Sequence, residues 1–228
     1  MYTNVNLAAP IGALALLATG FLLLTAGLTL GYSIVMKKSR LRKVSLLTLV
    51  LVTGVYLAAL LIYSLASSEK VLARGEEKHF CEIDCHLAYS VTDVHETRVL
   101  GEGPDQLTAT GVFRVVTIKT RFDETTIGRN RGDRLLYPNS RVVTVTDESG
   151  SQYFPAVAAQ RVLEKSQAAG TAMTIPLRPG ESYSTTFAFD LPADIKNPTL
   201  LIREGEWVTH TVIGHENSPL HKKTRFQI

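Results

Sequence analysis

The sequence predicts a membrane α-helical hairpin followed by an all-β domain folded as an antiparallel sandwich. Three observations carry this. Residues 1–36 contain no Asp, Glu, Lys or Arg, residues 44–68 contain none either, and between them stand Lys37, Lys38, Arg40, Arg42 and Lys43. Each apolar run exceeds the about 20 residues that cross the hydrocarbon of a bilayer. Beyond residue 68, apolar residues recur at every second position in short runs bounded by Gly, Pro and Asp, the period of a strand with one buried face.

The hairpin comes first, at residues 1–68. Its first span is expected over Ile11–Met36, with Pro10 in the first turn, where a missing N–H costs little. A cleaved signal peptide is the rival reading of this run. It wants a basic leader and a short apolar core, and Met1–Asn6 has no basic residue. Gly27 and Gly31 in the first run, and Gly54 and Ala58 in the second, are small residues four apart. Such pairs let another helix approach closely in lipid. They are expected to pack the two helices on each other, with docking to a different membrane protein as the alternative. Neither span holds an Asp, Glu, Lys, Arg or His, which argues against a proton or ion pathway.

Charge sets the topology. Lys37, Lys38, Arg40, Arg42 and Lys43 mark a cytoplasmic loop by the positive-inside rule. Both termini and the β domain are then expected on the extracytoplasmic side of a bacterial inner membrane. Nineteen of the 24 basic residues and all 21 acids lie beyond residue 68, so the outer part is net −2 and the overall +3 comes from the loop. A basic stripe for nucleic acid is not indicated.

Residues 69–78 read as a polar linker and 79–228 as one domain. Strands are expected at His86–Val94, Val112–Phe122, Arg141–Thr146, Ser151–Phe154, Ala172–Leu177, Ser182–Leu191, Leu200–Arg203, Glu206–Ile213 and Thr224–Ile228. Ser182–Leu191 is the clearest: Tyr183, Thr185, Phe187, Phe189 and Leu191 fall on one face, after a turn at Arg178-Pro179-Gly180-Glu181. Residues 156–169, Ala-rich between Pro155 and Gly170, suit a short helix or a lid.

Three stretches carry a resemblance. They are Phe113–Phe122, Val143–Tyr153 with its Asp147-x-x-Gly150-x-x-Tyr153 hairpin, and Leu177–Ser182 with its Pro179-Gly180-Glu181 turn. Over about residues 86–205 the chain resembles bacterial extracytoplasmic immunoglobulin-like domains of unknown function. That resemblance implies a non-catalytic immunoglobulin-like sandwich, often membrane-anchored, and brings no active-site residues with it. The two-helix anchor and the cysteine segment depart from that pattern.

The two cysteines, Cys81 and Cys85, stand in His79-Phe80-Cys81-Glu82-Ile83-Asp84-Cys85-His86. Outside the cytoplasm a disulfide between them is permitted. It needs a turn or helix, because a bridge requires Cα atoms within about 7 Å and an extended strand would hold them about 13 Å apart. Free thiols on one buried strand face, with Ile83, Leu87 and Tyr89, are a second reading. A third is a soft N/S metal site for copper or zinc from Cys81, Cys85, His86 and His79. Cytochrome oxidase subunit II is similar in layout, with two N-terminal spans, an outer β domain and a Cys-x-x-x-Cys copper pair. Here Tyr89 and Thr92 stand where that family has its next His and Met. Covalent haem would need Cys-x-x-Cys-His, one residue shorter. Arg129, Arg131, Asp133 and Arg134 form a polar loop with Gly128 and Gly132, and no helix start follows to make it a phosphate site.

The function expected from these features is a non-enzymatic accessory or structural subunit, without a cofactor, docking on a larger membrane complex such as one of respiratory or photosynthetic electron transport. Copper binding, delivery or electron transfer through Cys81 and Cys85 is one alternative. An envelope ligand-binding or sensor module is another.

Overall fold

The computed structural model describes residues 8–80, 85–125 and 132–228. The chain divides into two compact units, one of residues 8–68 with 207–222 and one of residues 69–206 with 223–228.

The first unit is built on two helices long and apolar enough to cross a membrane, α1 (Ala8–Val35) and α2 (Ser39–Leu65). They are joined by a tight turn in which Lys37 takes φ 51°. Lys37, Lys38, Arg40, Arg42 and Lys43 are all exposed at this end. Each helix hides one narrow seam. On α1 it runs through Gly12, Leu16, Thr19, Leu23, Ala26, Leu30 and Ser33, and on α2 through Leu41, Ser45, Thr48, Val52, Tyr56, Leu60 and Ser64. Alternating steps of about three and four residues describe the seam of two helices packed nearly antiparallel. Gly27, Gly31, Gly54 and Ala58 lie off the seam and are exposed, and a Cβ on any of the three glycines would meet nothing within 4 Å. The contact between α1 and α2 is therefore not made by these small residues, contrary to expectation. The 3.5-residue repeat decides which positions face the partner helix, and they are out of phase with it.

Residues 207–222 complete this unit. Glu206–Ile213 was expected as a strand, and Trp207–Thr211 is instead a 3-10 turn. Tertiary contacts override its β-branched composition: the Tyr56 hydroxyl donates to the Thr211 carbonyl at 2.6 Å. Gly12 sits where any Cβ would strike the Ile213 carbonyl.

The second unit is mostly β, in two sheets. One has strand order β1 (Lys70–Leu72), β9 (Thr224–Gln227), β8 (Thr199–Glu204), β5 (Arg141–Thr146), β6 (Gln152–Tyr153). The other runs β2 (Lys78–Phe80), β3 (Leu87–Leu100), β4 (Leu107–Phe122), β7 (Ser182–Leu191). All pairings are antiparallel except β1 with β9. Alternation places Tyr89, Val91, Val116, Ile118, Phe189 and Leu191 of one sheet in a common core with Val143, Val145, Leu200, Ile202 and Phe226 of the other. The opposite face of β7 is covered in part by α3 (Val157–Lys165), where Ala159 and Leu163 pack with Phe113, Val115 and Ala188. That is the helix expected between Pro155 and Gly170. Ala172–Leu177, expected as a strand, contributes only a bridge between Leu177 and Leu136. The segment read as a linker holds β1 and, at Lys78, the start of β2.

Candidate functional site

A cluster of buried and half-buried charge gathers at the edge of the four-stranded sheet, next to the cysteine segment. Glu77 and His79 are two apart at β2, and Arg121 and Asp123 are two apart at the end of β4, so each pair points to one face. The central strand makes the meeting possible. Ala88 of β3 is paired with His79 on one side and Arg121 on the other. Its single methyl lets the Arg121 side chain pass over β3 and reach the neighbouring strand.

Arg121 donates to Glu77 as a fork, Nε to Oε1 at 2.7 Å and Nη2 to Oε2 at 2.7 Å. The same Nη2 lies 3.1 Å from Asp123 Oδ2. His79 Nε2 bonds that carboxylate oxygen at 2.9 Å. An ionised carboxylate only accepts, so Nε2 carries the proton. Thr125 closes the other side, with its amide N–H and hydroxyl donating to Asp123 Oδ1 at 2.9 and 2.7 Å. His86 stacks on Phe122 with ring centroids 4.9 Å apart, and its Nδ1 donates to the Asp123 carbonyl at 2.5 Å. The Asp123 amide in turn donates to the His86 carbonyl at 2.7 Å.

This wiring sets the charges. Burial pushes the Asp123 carboxyl up, but donation by Thr125 and His79 and the charge of Arg121 outweigh it and hold the group well below the usual carboxylate range. The Arg121 fork likewise lowers Glu77 despite its burial. Glu77 in turn raises Arg121 above its ordinary value.

Ligand atoms of Glu77, His79 and Asp123 lie within 4.8 Å of one another. A metal site needs lone pairs converging on one point. Here the guanidinium occupies both Glu77 oxygens, and the His79 nitrogen facing Asp123 carries a proton. The cluster is wired as an ion-pair network. The soft metal site read from the sequence fares similarly among the described residues. Cys85 is disulfide-bonded and so offers no thiolate, and at φ 59° it is not in an extended strand. His79 and His86 each turn a ring nitrogen to Asp123. Cys81, the other half of the pair, lies outside the described residues, as do Gly128, Arg129 and Arg131.

Sequence reading found His79 and His86 and missed Glu77, Arg121 and Asp123. Their i, i+2 spacing was visible, but only the register across Ala88 unites them.

No family model matches the chain, and no curated protein matches it. Among solved structures it is similar to a conserved hypothetical protein from Bacillus anthracis, with 16% identity, TM-score 0.41, and 57% of this chain and 88% of that one covered. It is similar also to the secreted protein MPT63 of Mycobacterium tuberculosis, with 11% identity, TM-score 0.42, and 71% and 98% covered. The yjhA protein of Bacillus subtilis is a third, with 12% identity, TM-score 0.42, and 70% and 99% covered. At these scores the likeness says nothing about ligands, partners or activity.

Proposed function

We propose that this protein is a membrane-anchored, non-enzymatic accessory subunit whose helical hairpin docks on helices of a larger membrane complex. Its β unit is read as an immunoglobulin-like sandwich on the extracytoplasmic face. The observation that carries the proposal is the outward placement of Gly27, Gly31, Gly54 and Ala58. The hairpin does not use these residues to close on itself. They leave shallow grooves beside large exposed apolar residues, including Leu24, Leu28, Val50 and Leu57. Close van der Waals approach is what drives helix association in lipid. The basic turn sets the orientation by the positive-inside rule. In the β unit, the charges around Arg121 pair with one another across neighbouring strands, which suits a structural domain.

The test is gentle detergent extraction of the tagged full chain and mass spectrometry of what accompanies it. A stoichiometric membrane partner is expected, and it should be lost with Gly27→Leu plus Gly54→Leu, since both sites are open and the fold tolerates the change. Extraction of a lone monomer from cells at native expression would end the proposal.

A further inference from the structure

The segment 207–214 packs against α1 and α2 over a limited stretch of their length, and that stretch can be placed along the helix axes. Taking Lys43 as the inner limit of the hydrocarbon and a rise of 1.5 Å per residue, Tyr56 stands about 20 Å up. Gly12 and Ala8, on the antiparallel helix, stand about 28 and 34 Å up by the same count. These three residues contact Thr211, Ile213 and Gly214 in that order. The contacts therefore straddle the outer limit of a hydrocarbon layer about 30 Å thick.

At that depth, irregular backbone is tolerated where its polar groups are satisfied from within the protein, and this segment meets that condition at several points. The Thr211 carbonyl accepts from Tyr56 and the Val212 carbonyl from the Ser218 hydroxyl. The Asn217 side-chain amide donates to the Thr209 hydroxyl at 2.8 Å, and the Asn217 backbone N–H donates to His215 Nδ1 at 2.9 Å. Asn217, Ser218 and Thr209 are buried. At the far end, the Lys222 amide donates to the Ser67 hydroxyl just past α2. Against this closed polar interior, the segment turns outward a Trp207 that is 78% exposed and, beside it, Val208. An indole, apolar with one N–H, is the side chain most at home where acyl chains meet headgroups.

We propose that residues 207–214 form a clip seated in the outer-leaflet interface, with Trp207 and Val208 inserted among the lipids at the headgroup–acyl boundary and Tyr56 holding the clip at that depth. This rests on the anchoring reading above, and the experiment separates the two. Trp207 is the chain's single tryptophan, so its fluorescence reports on the clip alone. The full chain is reconstituted into phosphatidylcholine vesicles carrying bromine either near the ester end or near the methyl end of the acyl chain. The expected result is blue-shifted emission, quenched more strongly by the shallow bromine than by the deep one and little affected by aqueous iodide. Tyr56→Phe should leave the protein in the vesicles but lose part of the shallow quenching. Water-like emission, open to iodide and indifferent to both bromolipids, in protein that resists alkaline extraction would overturn the clip and leave the anchor standing. Release of the protein by alkaline carbonate would overturn both.

Discussion

The two units of this protein bury opposite things. The β unit hides its largest side chains, with Tyr89, Phe113, Phe122, Phe189 and Phe226 all at 1% exposure or less. The hairpin hides mostly small residues, Gly12, Ala26, Ser33, Ser45 and Ser64 with the single larger Leu60, and turns Phe21, Leu24, Leu28, Val50 and Val55 outward. In water the second pattern is inside out, because exposing that much contiguous apolar surface is costly. In lipid the same surface is neutral, and what draws helices together is close packing of small and hydroxyl-bearing residues. One chain thus carries two packing patterns, one of a water-soluble core and one compatible with a lipid surround.

The comparison can be broken most decisively by truncating matched aromatics. Phe189→Ala should destabilise the β unit by about 3–5 kcal/mol, the cost of a large buried cavity. Phe21→Ala, at a site 70% exposed, should change the thermal unfolding of detergent-solubilised protein by no more than about 0.5 kcal/mol. Equal losses in a thermal-shift or denaturant titration would abolish the distinction. A charge sharpens it next. Leu24→Arg sits on an exposed position, harmless in water, but in a membrane helix it should cost about 2.5–3.5 kcal/mol of insertion. The readout is the fraction of protein that survives alkaline extraction, and an unchanged fraction would argue that α1 never meets lipid.

Within the β unit, Arg121→Ala should cost about 1–3 kcal/mol, because Glu77 and Asp123 lose their shared donor. Arg121→Lys should restore only part of it, since an ammonium lacks the planar fork. The smallest effect is a pH dependence. Native Glu77 and Asp123 titrate below their ordinary values of 4.5 and 3.8. Between native and unfolded values the unfolded chain binds more protons, so stability rises with pH there. The contribution is complete above the unfolded values and drains away as pH falls through the native ones. The unfolding midpoint of the β unit should hold steady from neutral to about pH 5 and drop below about pH 4. The drop should be shallower in Arg121→Ala. An identical acid limb in both proteins would detach the cluster from stability.

Much of the architecture was legible because it is periodic. Arg141–Thr146 and Ser182–Leu191 are strands over the spans that alternation marks out. α1 falls within the first uncharged run, and α2 covers most of the second but begins earlier, taking Arg40, Arg42 and Lys43 into its first turns. The misreadings share one cause. Trp207–Thr211 has the composition of a strand, yet among the described residues no strand pairs with it, and the Thr211 carbonyl accepts from Tyr56 instead. Lys70–Leu72 looked like linker and is a strand because Thr224–Phe226, about 150 residues later, lies beside it. The candidate site behaved the same way. Its histidines stand beside the cysteines in a pattern that suggests ligands, while Arg121 and Asp123 lie at the end of a long strand with no local pattern to mark them.

What the sequence by itself determined is whatever repeats or accumulates along the chain. Two uncharged runs, a basic knot between them, and an every-second-residue apolar rhythm are local sums that no neighbour can change. What the tertiary structure alone decided is every feature that depends on which strand lies beside which. The small side chain of Ala88 matters only because register sets it between His79 and Arg121. Gly12 matters only because the Ile213 carbonyl comes to rest against it. Contacts between residues distant in sequence are set by the closing of the whole core, and no window along the chain contains them.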